Sequence, residues 1–214
     1  MAPLLKRITS WDSWRGWVAK QEGRAWERYF CVETRASSVG EQAHYPADTI
    51  KYEPLPWTLV RMGLELLRLE PDDVFVDYGA GLGRALIMAA SRRVKQVIGV
   101  EFLRHLALRA EENVRAAQHR LQSPVKVIVA DAAAWKVPDE VSAAYFFNPF
   151  IGSVMKAAQE RLRESLERKP RTFRLLYAHA NDQPDLFAQC DWLELQHSQN
   201  GGIFTGTLSV YAAR

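Results

Sequence analysis

Three acidic residues, one glycine-rich loop and one Asn-Pro pair mark where this chain could do chemistry. Asp77 is followed by Gly79, Gly81 and Gly83 at alternate positions in V-F-V-D-Y-G-A-G-L-G-R. Glycines so spaced let a ligand approach the backbone, and the apolar helix-like run that begins at once aims its N-terminus at that ligand. A dinucleotide fingerprint places a third glycine where Arg84 stands, and a phosphate loop carries Gly-Lys followed by Ser or Thr. Neither nicotinamide dinucleotides nor nucleoside triphosphates are therefore indicated. Asp77 would set a carboxylate against any phosphate held there, which favours a cationic or zwitterionic guest.

Glu101 closes the apolar run Q-V-I-G-V-E, and Asp131 closes I-V-A-D-A. An acid at the end of a second strand can accept hydrogen bonds from both ribose hydroxyls of a nucleoside. Asp131 can accept one from the amino group of an adenine, with the backbone amide of Ala132 beside it. Each acid alone reads as readily as a solvated strand end. Three successive strands that end in acids around one glycine loop read as a wall of a nucleoside pocket. Asn148-Pro149-Phe150 follows the fourth apolar run and brings polar groups to the same edge. His179 and Asn181 follow the fifth, where a lone histidine is more often structural than a base. His44, His105, His119 and His197 lack metal-ligand spacing, so no metal site is expected.

The elements that must position these residues alternate regularly after Trp57. Strands are expected over 74–78, 96–101, 125–130, 143–147 and 173–178, with helices over 83–92, 103–121 and 151–168. A helix with Leu59, Met62, Leu66 and Leu69 ends near Pro71. The chain closes with strand-like runs over 192–198 and 203–212 around Gln199-Asn200-Gly201-Gly202, read as a hairpin turn. The pattern is an α/β fold, a parallel sheet with helices on both faces and an antiparallel terminal hairpin. Residues 1–50 differ in character and read as an N-terminal helical extension or lid before a main domain over 51–214. Trp11, Trp14, Trp17 and Trp26 lie there among Lys6, Arg7, Arg15, Lys20, Arg24 and Arg28. The plainest reading is a helix that packs its tryptophans on the main domain. A substrate lid or a membrane-interface surface are the sharper ones. Residues 41–56 read as an irregular connection.

With 214 residues and a formal charge of +3, one cored domain plus an extension fits, and charges of both signs are mixed along the chain. That balance weakly permits an acidic partner, and with no RNA-binding module in the sequence a nucleic-acid partner is read as unlikely. Cys31 and Cys190 form neither a disulfide framework nor a zinc spacing, which suits a reducing cytoplasm. No apolar run has the length of a membrane span, and no export signal is expected.

The loop Asp77 to Arg84, Gly99-Val100-Glu101, Asp131-Ala132 and Phe147-Asn148-Pro149-Phe150 together resemble class I S-adenosylmethionine-dependent methyltransferases. The likeness runs over about residues 52–214. It is nearest to a little-characterised bacterial group, with a distant resemblance to non-SET lysine methyltransferases in the G-V-E and pre-strand region. It implies a Rossmann-like, mostly parallel seven-stranded sheet whose last strand is inserted antiparallel. It also implies S-adenosylmethionine as cofactor, with the backbone of Tyr78, Gly79, Ala80 and Gly81, and Gly83 after it, against the methionine portion. Asp77 would orient the amino group, Glu101 hold the ribose, Asp131 and Ala132 the adenine, Phe102 flank the ring, and Tyr52 cover the site. Asn148-Pro149-Phe150 resembles the [DN]-P-P-[FYW] motif of methyltransferases that act on nitrogen, with one proline in place of two. The implied role is to hold an acceptor amine in line with the methyl group, Asn148 also touching the cofactor. The acceptor itself, a protein or small-molecule amine, is unidentified. An O-methyltransferase with His179 as base, or a non-catalytic module of the same fold, are the rivals.

Overall fold

The computed structural model describes residues 11–38, 48, 50–180, 184–201 and 206–214, the side chains of 11–13 and 15 excepted. Its element order is α1 (Trp11–Phe30), α2 (Trp57–Leu67), β1 (Val74–Tyr78), α3 (Arg84–Ala90), β2 (Gln96–Glu101), α4 (Arg104–Ala117) and β3 (Val125–Val129). There follow β4 (Val141–Phe147), α5 (Gly152–Arg168), β5 (Arg174–His179), β6 (Leu193–Asn200) and β7 (Thr207–Ala213). The sheet has seven strands in the order β3-β2-β1-β4-β5-β7-β6. The first five in that order run parallel, and β7 enters antiparallel between β5 and β6. This is the expected Rossmann-like sheet with its antiparallel end.

Alternation along the strands divides the core into two layers. Phe75 and Tyr145 face a layer built from α2, α3 and Phe30 of α1. Val74, Val76 and Tyr78 face the opposite layer, where Met155, Ala158 and Leu162 of α5 pack. A clean alternation would leave one face wet. Here all five residues of β1 are buried, as a central parallel strand requires.

The expected boundaries shift where a polar side chain finds a partner. β4 begins at Val141 rather than 143, because the hydroxyl of Ser142 accepts the Val74 N–H at 3.1 Å and donates to Asp73 at 2.6 Å. The helix expected to reach 121 stops at Ala117 and tightens into a 3-10 turn over Gln118–Arg120. α2 ends at Leu67, with Arg68 in the left-handed conformation, short of Pro71. The terminal hairpin is corrected as well: Gln199 and Asn200 belong to β6, Asn200 pairs with Thr207, and Gly201 donates to the Gly206 carbonyl at 2.7 Å. The expected start of the last strand at 203 lies outside the described residues.

α1 packs on the domain through its last turns. Trp26 stacks on Phe30 and on Trp57, and Phe30 stacks on Trp57 at 5.4 Å. Trp17 is 42% exposed. At this end of the helix the contact to α2 sets which face is covered, since Trp26 and Phe30 meet Trp57.

Candidate functional site

Between β1 and β4 the connections leave the sheet in opposite directions, and the crevice at such a point is where open α/β sheets hold ligands. A cavity of about 710 Å³ opens there. That volume is in the range of small-molecule sites. Asp77, Glu101, Asp131, Asn148 and His179, one from each of the first five strand ends, all line it.

Asp77 has the same parity on β1 as Phe75, so its side chain turns from the α5 layer into the cavity. Its carboxyl is pushed up to about 8, first by burial and then by the charge of Glu101. Burial also raises Glu101, against hydrogen bonds that lower it. Those bonds organise the loop: Glu101 Oε2 accepts the Gly81 N–H at 2.8 Å, and Oε1 accepts the Leu103 N–H at 2.9 Å. Two desolvated carboxyls side by side make a site that gains most from a positive ligand.

Of the expected loop residues, Gly79 and Ala80 line the cavity, while Tyr78, Gly81 and Gly83 do not. The Tyr78 ring is buried on the α5 side, stacked on Phe146 at 4.3 Å. Gly79 and Gly81 hold positive φ, and a Cβ would strike Pro149 at the first and the Tyr52 ring at the second. The loop is thus clamped between those two side chains. Tyr52 donates to the Thr34 carbonyl at 2.8 Å, and burial raises its hydroxyl pKa. Gly83 begins α3 and packs close to Ala110 of α4.

Around the rest of the wall, Phe102 is 48% exposed and lines the cavity. Asp131 is exposed and accepts the Ala133 N–H at 2.9 Å, and Ala132 is buried beside it. Asn148 has φ 37°, a left-handed conformation that asparagine tolerates better than most residues. Its Oδ1 accepts the Tyr177 hydroxyl at 2.7 Å. The Pro149 carbonyl accepts the Ile50 N–H at 3.3 Å, so part of the chain before α2 lies directly over the motif. A carbonyl or amide oxygen has two lone pairs. Phe150 lines the cavity, yet its ring is buried and set edge-on to Phe146 at 6.1 Å, so it supports the core as well.

His179 is 6% exposed and stacks on Tyr177 at 5.0 Å. Its Nδ1 lies 3.0 Å from the Ala180 carbonyl. A carbonyl only accepts, so Nδ1 carries the proton and Nε2 the lone pair. Nε2 has no hydrogen-bond partner among the described residues, and its nearest charge is Asp185 at 3.8 Å. Asn181 lies outside the described residues.

Two residues went unread in the sequence. Tyr177 stands two positions before His179 on β5, and that period of two was the available signal for a shared face. Arg84 looked only like an absent glycine. It is a buried guanidinium that donates to Thr34 Oγ1 at 3.0 and 2.9 Å and to the Leu55 carbonyl at 2.7 Å. It lies over the Trp57 ring and 3.8 Å from Glu27, which itself accepts from Thr34 N–H and Oγ1. Asn113 adds a second tie to this segment through both backbone groups of Glu33. Arg84 therefore fastens α1 and the segment after it to the head of α3. Among the described residues no cluster of acids, histidines and cysteines suits a metal ion, and no helix is long and apolar enough to cross a membrane.

Residues 31–124 match the family model described as histone methylation protein DOT1, a span that includes the pre-strand region and the G-V-E motif. An uncharacterized RNA methyltransferase of Lactobacillus johnsonii is 32% identical over 120 residues, 54% of this chain and 25% of its own length. A protein-lysine N-methyltransferase of Saccharolobus islandicus is 42% identical over 53 residues, 24% of this chain and 33% of its own. The matches thus span a quarter to a third of these relatives. The crystal structure of an RNA methyltransferase from Salinibacter ruber in complex with S-adenosyl-L-homocysteine superposes with a TM-score of 0.56 at 21% identity. It covers 75% of this chain and 93% of that one. Two of these three carry RNA in their names, and the expectation against nucleic acid draws no support from them.

Proposed function

We propose that this chain, built on the class I S-adenosylmethionine-dependent methyltransferase fold, binds S-adenosylmethionine in the cavity and transfers its methyl group to an acceptor nitrogen. The observation that carries the reading is the buried Asp77–Glu101 pair beside a loop whose glycines bring backbone to the cavity wall. The residues fit the group: the desolvated carboxyls suit an ammonium and a sulfonium, and Glu101, Asp131 and Phe102 suit a ribose, an adenine amino group and an adenine face. Bound there, S-adenosylmethionine would supply an electrophilic methyl group. The chain's own part is position and water exclusion. Tyr177 holds the Asn148 amide, and the oxygens of Asn148 and Pro149 can accept from an amine N–H. An amine so held keeps its lone pair toward the methyl, and alignment of this kind is worth on the order of 7–11 kcal/mol of barrier. For the acceptor, the relatives support two classes, a protein amine and RNA.

The charge of Asp77 supplies the test. At pH 7 a carboxyl with a pKa near 8 is roughly nine-tenths protonated, and a cationic ligand favours the ionised form, so binding expels a proton. The apparent affinity should rise from pH 6 to 8 by up to about tenfold per unit and flatten above. At pH 7 the binding enthalpy should depend on the ionisation heat of the buffer. Because the ligand's own amino group also titrates near 8, the comparison is with Asp77→Asn, which should bind more weakly and lose the proton release. Absence of S-adenosylmethionine binding at millimolar ligand would sink the methyltransferase reading. Binding with identical proton release in both proteins would remove Asp77 from the site.

The tautomer of His179 favours a second reading, in which Nε2 accepts a proton from an acceptor hydroxyl and the product is an O-methyl group. That reading expects turnover to fall by about a hundredfold or more in His179→Gln with S-adenosylmethionine affinity kept. Full turnover in His179→Gln would discard it.

A further inference from the structure

The outer face of α1 carries a stripe that the site does not use. Trp17, Lys20, Arg24 and Arg28 are all exposed, at steps of three, four and four residues, and so share one side of the helix. The described acids of the same helix, Glu22 and Glu27, are both engaged by the rest of the chain. Glu22 accepts the Thr58 N–H and hydroxyl at the start of α2, and the buried Glu27 is taken up by Thr34, Arg84 and Arg35. Among the described residues of α1 the two acids are therefore engaged and Glu27 is buried, while Lys20, Arg24 and Arg28 are exposed and have no ion-pair partner. An ordinary solvated helix face interleaves the two signs. Successive cations stand about 6 Å apart along the axis, a repeat close to that of successive phosphates on a nucleic-acid strand. The stripe also adjoins the site: Gly16 and Ala19, on the turn that carries Trp17 and Lys20, line the cavity.

We propose that this face of α1 docks single-stranded RNA, its phosphates on Lys20, Arg24 and Arg28 and a base on Trp17, so that a neighbouring nucleotide enters the cavity. Unpaired strands fit because the cations sit on a convex helix beside a hole of nucleotide size, and a base can turn inward only from a strand that does not hold it in a duplex. That the docked RNA is also the acceptor rests on the methyl-transfer reading. In that step the N–CH₃ bond forms as the C–S bond breaks, the electron pair stays on sulfur, and the amine proton passes to water. The apolar face of α1 is spent on Trp57, which leaves little for a membrane interface.

The test is the binding of a fluorescent 12-nucleotide single-stranded RNA of mixed sequence to the full chain over a range of salt concentrations. The chain should bind it, and the slope of log affinity against log salt should drop by about 2 in Lys20→Gln/Arg24→Gln/Arg28→Gln, at about 0.7 per phosphate contact, with at least a tenfold loss at low salt. Trp17→Ala should lose roughly tenfold with the slope unchanged. S-adenosylhomocysteine affinity, read by calorimetry, should be the same in all variants and shows that they are folded. Equal RNA affinity and slope in the triple variant would overturn the proposal. So would equal affinity for DNA of the same sequence, or binding to phosphatidylglycerol vesicles that displaces the RNA. RNA binding without any cofactor binding would instead refute methyl transfer and leave the docking face standing.

Discussion

Asn148→Ala is expected to lower methyl incorporation by about a hundredfold or more, with S-adenosylmethionine affinity changed by less than about threefold. The reason lies in how Asn148 is held. It sits at the end of β4 with a positive φ, its amide oxygen fixed by the Tyr177 hydroxyl, next to a carbonyl capped by Ile50. Removal of the amide takes away an acceptor for the incoming amine and leaves the glycine loop and Glu101 as they were. Tyr177→Phe keeps the ring in the core and removes only the donor, so its loss should lie between parent and Asn148→Ala. Tritiated methyl transfer into total RNA and into total protein, beside calorimetric cofactor titration, separates the two effects. Equal losses in transfer and in cofactor affinity would mean that Asn148 serves the cofactor or the fold, and the nitrogen-acceptor reading would lose its support.

Arg84→Ala should cost about 3–5 kcal/mol of stability, the size expected when one member of a buried ion pair is removed and the other is left behind. Buried Glu27 would be left with Thr34 and the half-exposed Arg35, and Thr34 and the Leu55 carbonyl would lose the donors that Arg84 supplies. Because the same guanidinium lines the cavity and anchors the segment whose Tyr52 closes over Gly81, cofactor affinity should fall with stability. Urea denaturation of Arg84→Ala, Glu27→Gln and the double variant gives the coupling. The double variant should lie well short of the sum of the two single ones. Additive effects, or a loss under about 1 kcal/mol for Arg84→Ala, would show that the clamp is not what joins α1 to the domain.

Much of the site was legible because strand ends are local features. A short, mostly apolar run, then Asp77, Glu101 or Asp131, reports a parallel strand and its terminal acid without knowledge of any neighbour, and the topology brings those ends to one crevice. The glycine loop was legible for the same reason, although its tightness proved to serve Pro149 and Tyr52, and only Gly79 and Ala80 of the loop reach the cavity. The rotation of α1 was not legible. Four tryptophans in one segment define an aromatic helix, but whether Trp17 or Trp26 is covered depends on Trp57 and Arg84, distant in sequence.

The sequence by itself therefore determined the alternation of strands and helices, the acids at the strand ends and the identity of the loop, all of which follow from periodicity and residue type within short windows. The tertiary structure alone decided that Asp77 and Glu101 are desolvated together and that Tyr177 fixes Asn148. It also decided that Arg84 holds the N-terminal segment, and that Lys20, Arg24 and Arg28 of α1 are exposed while Glu22 and Glu27 are engaged. Those are properties of burial and of pairs far apart along the chain. Burial sets the energy of a charge and its choice of partner, and it exists only once the layers have closed.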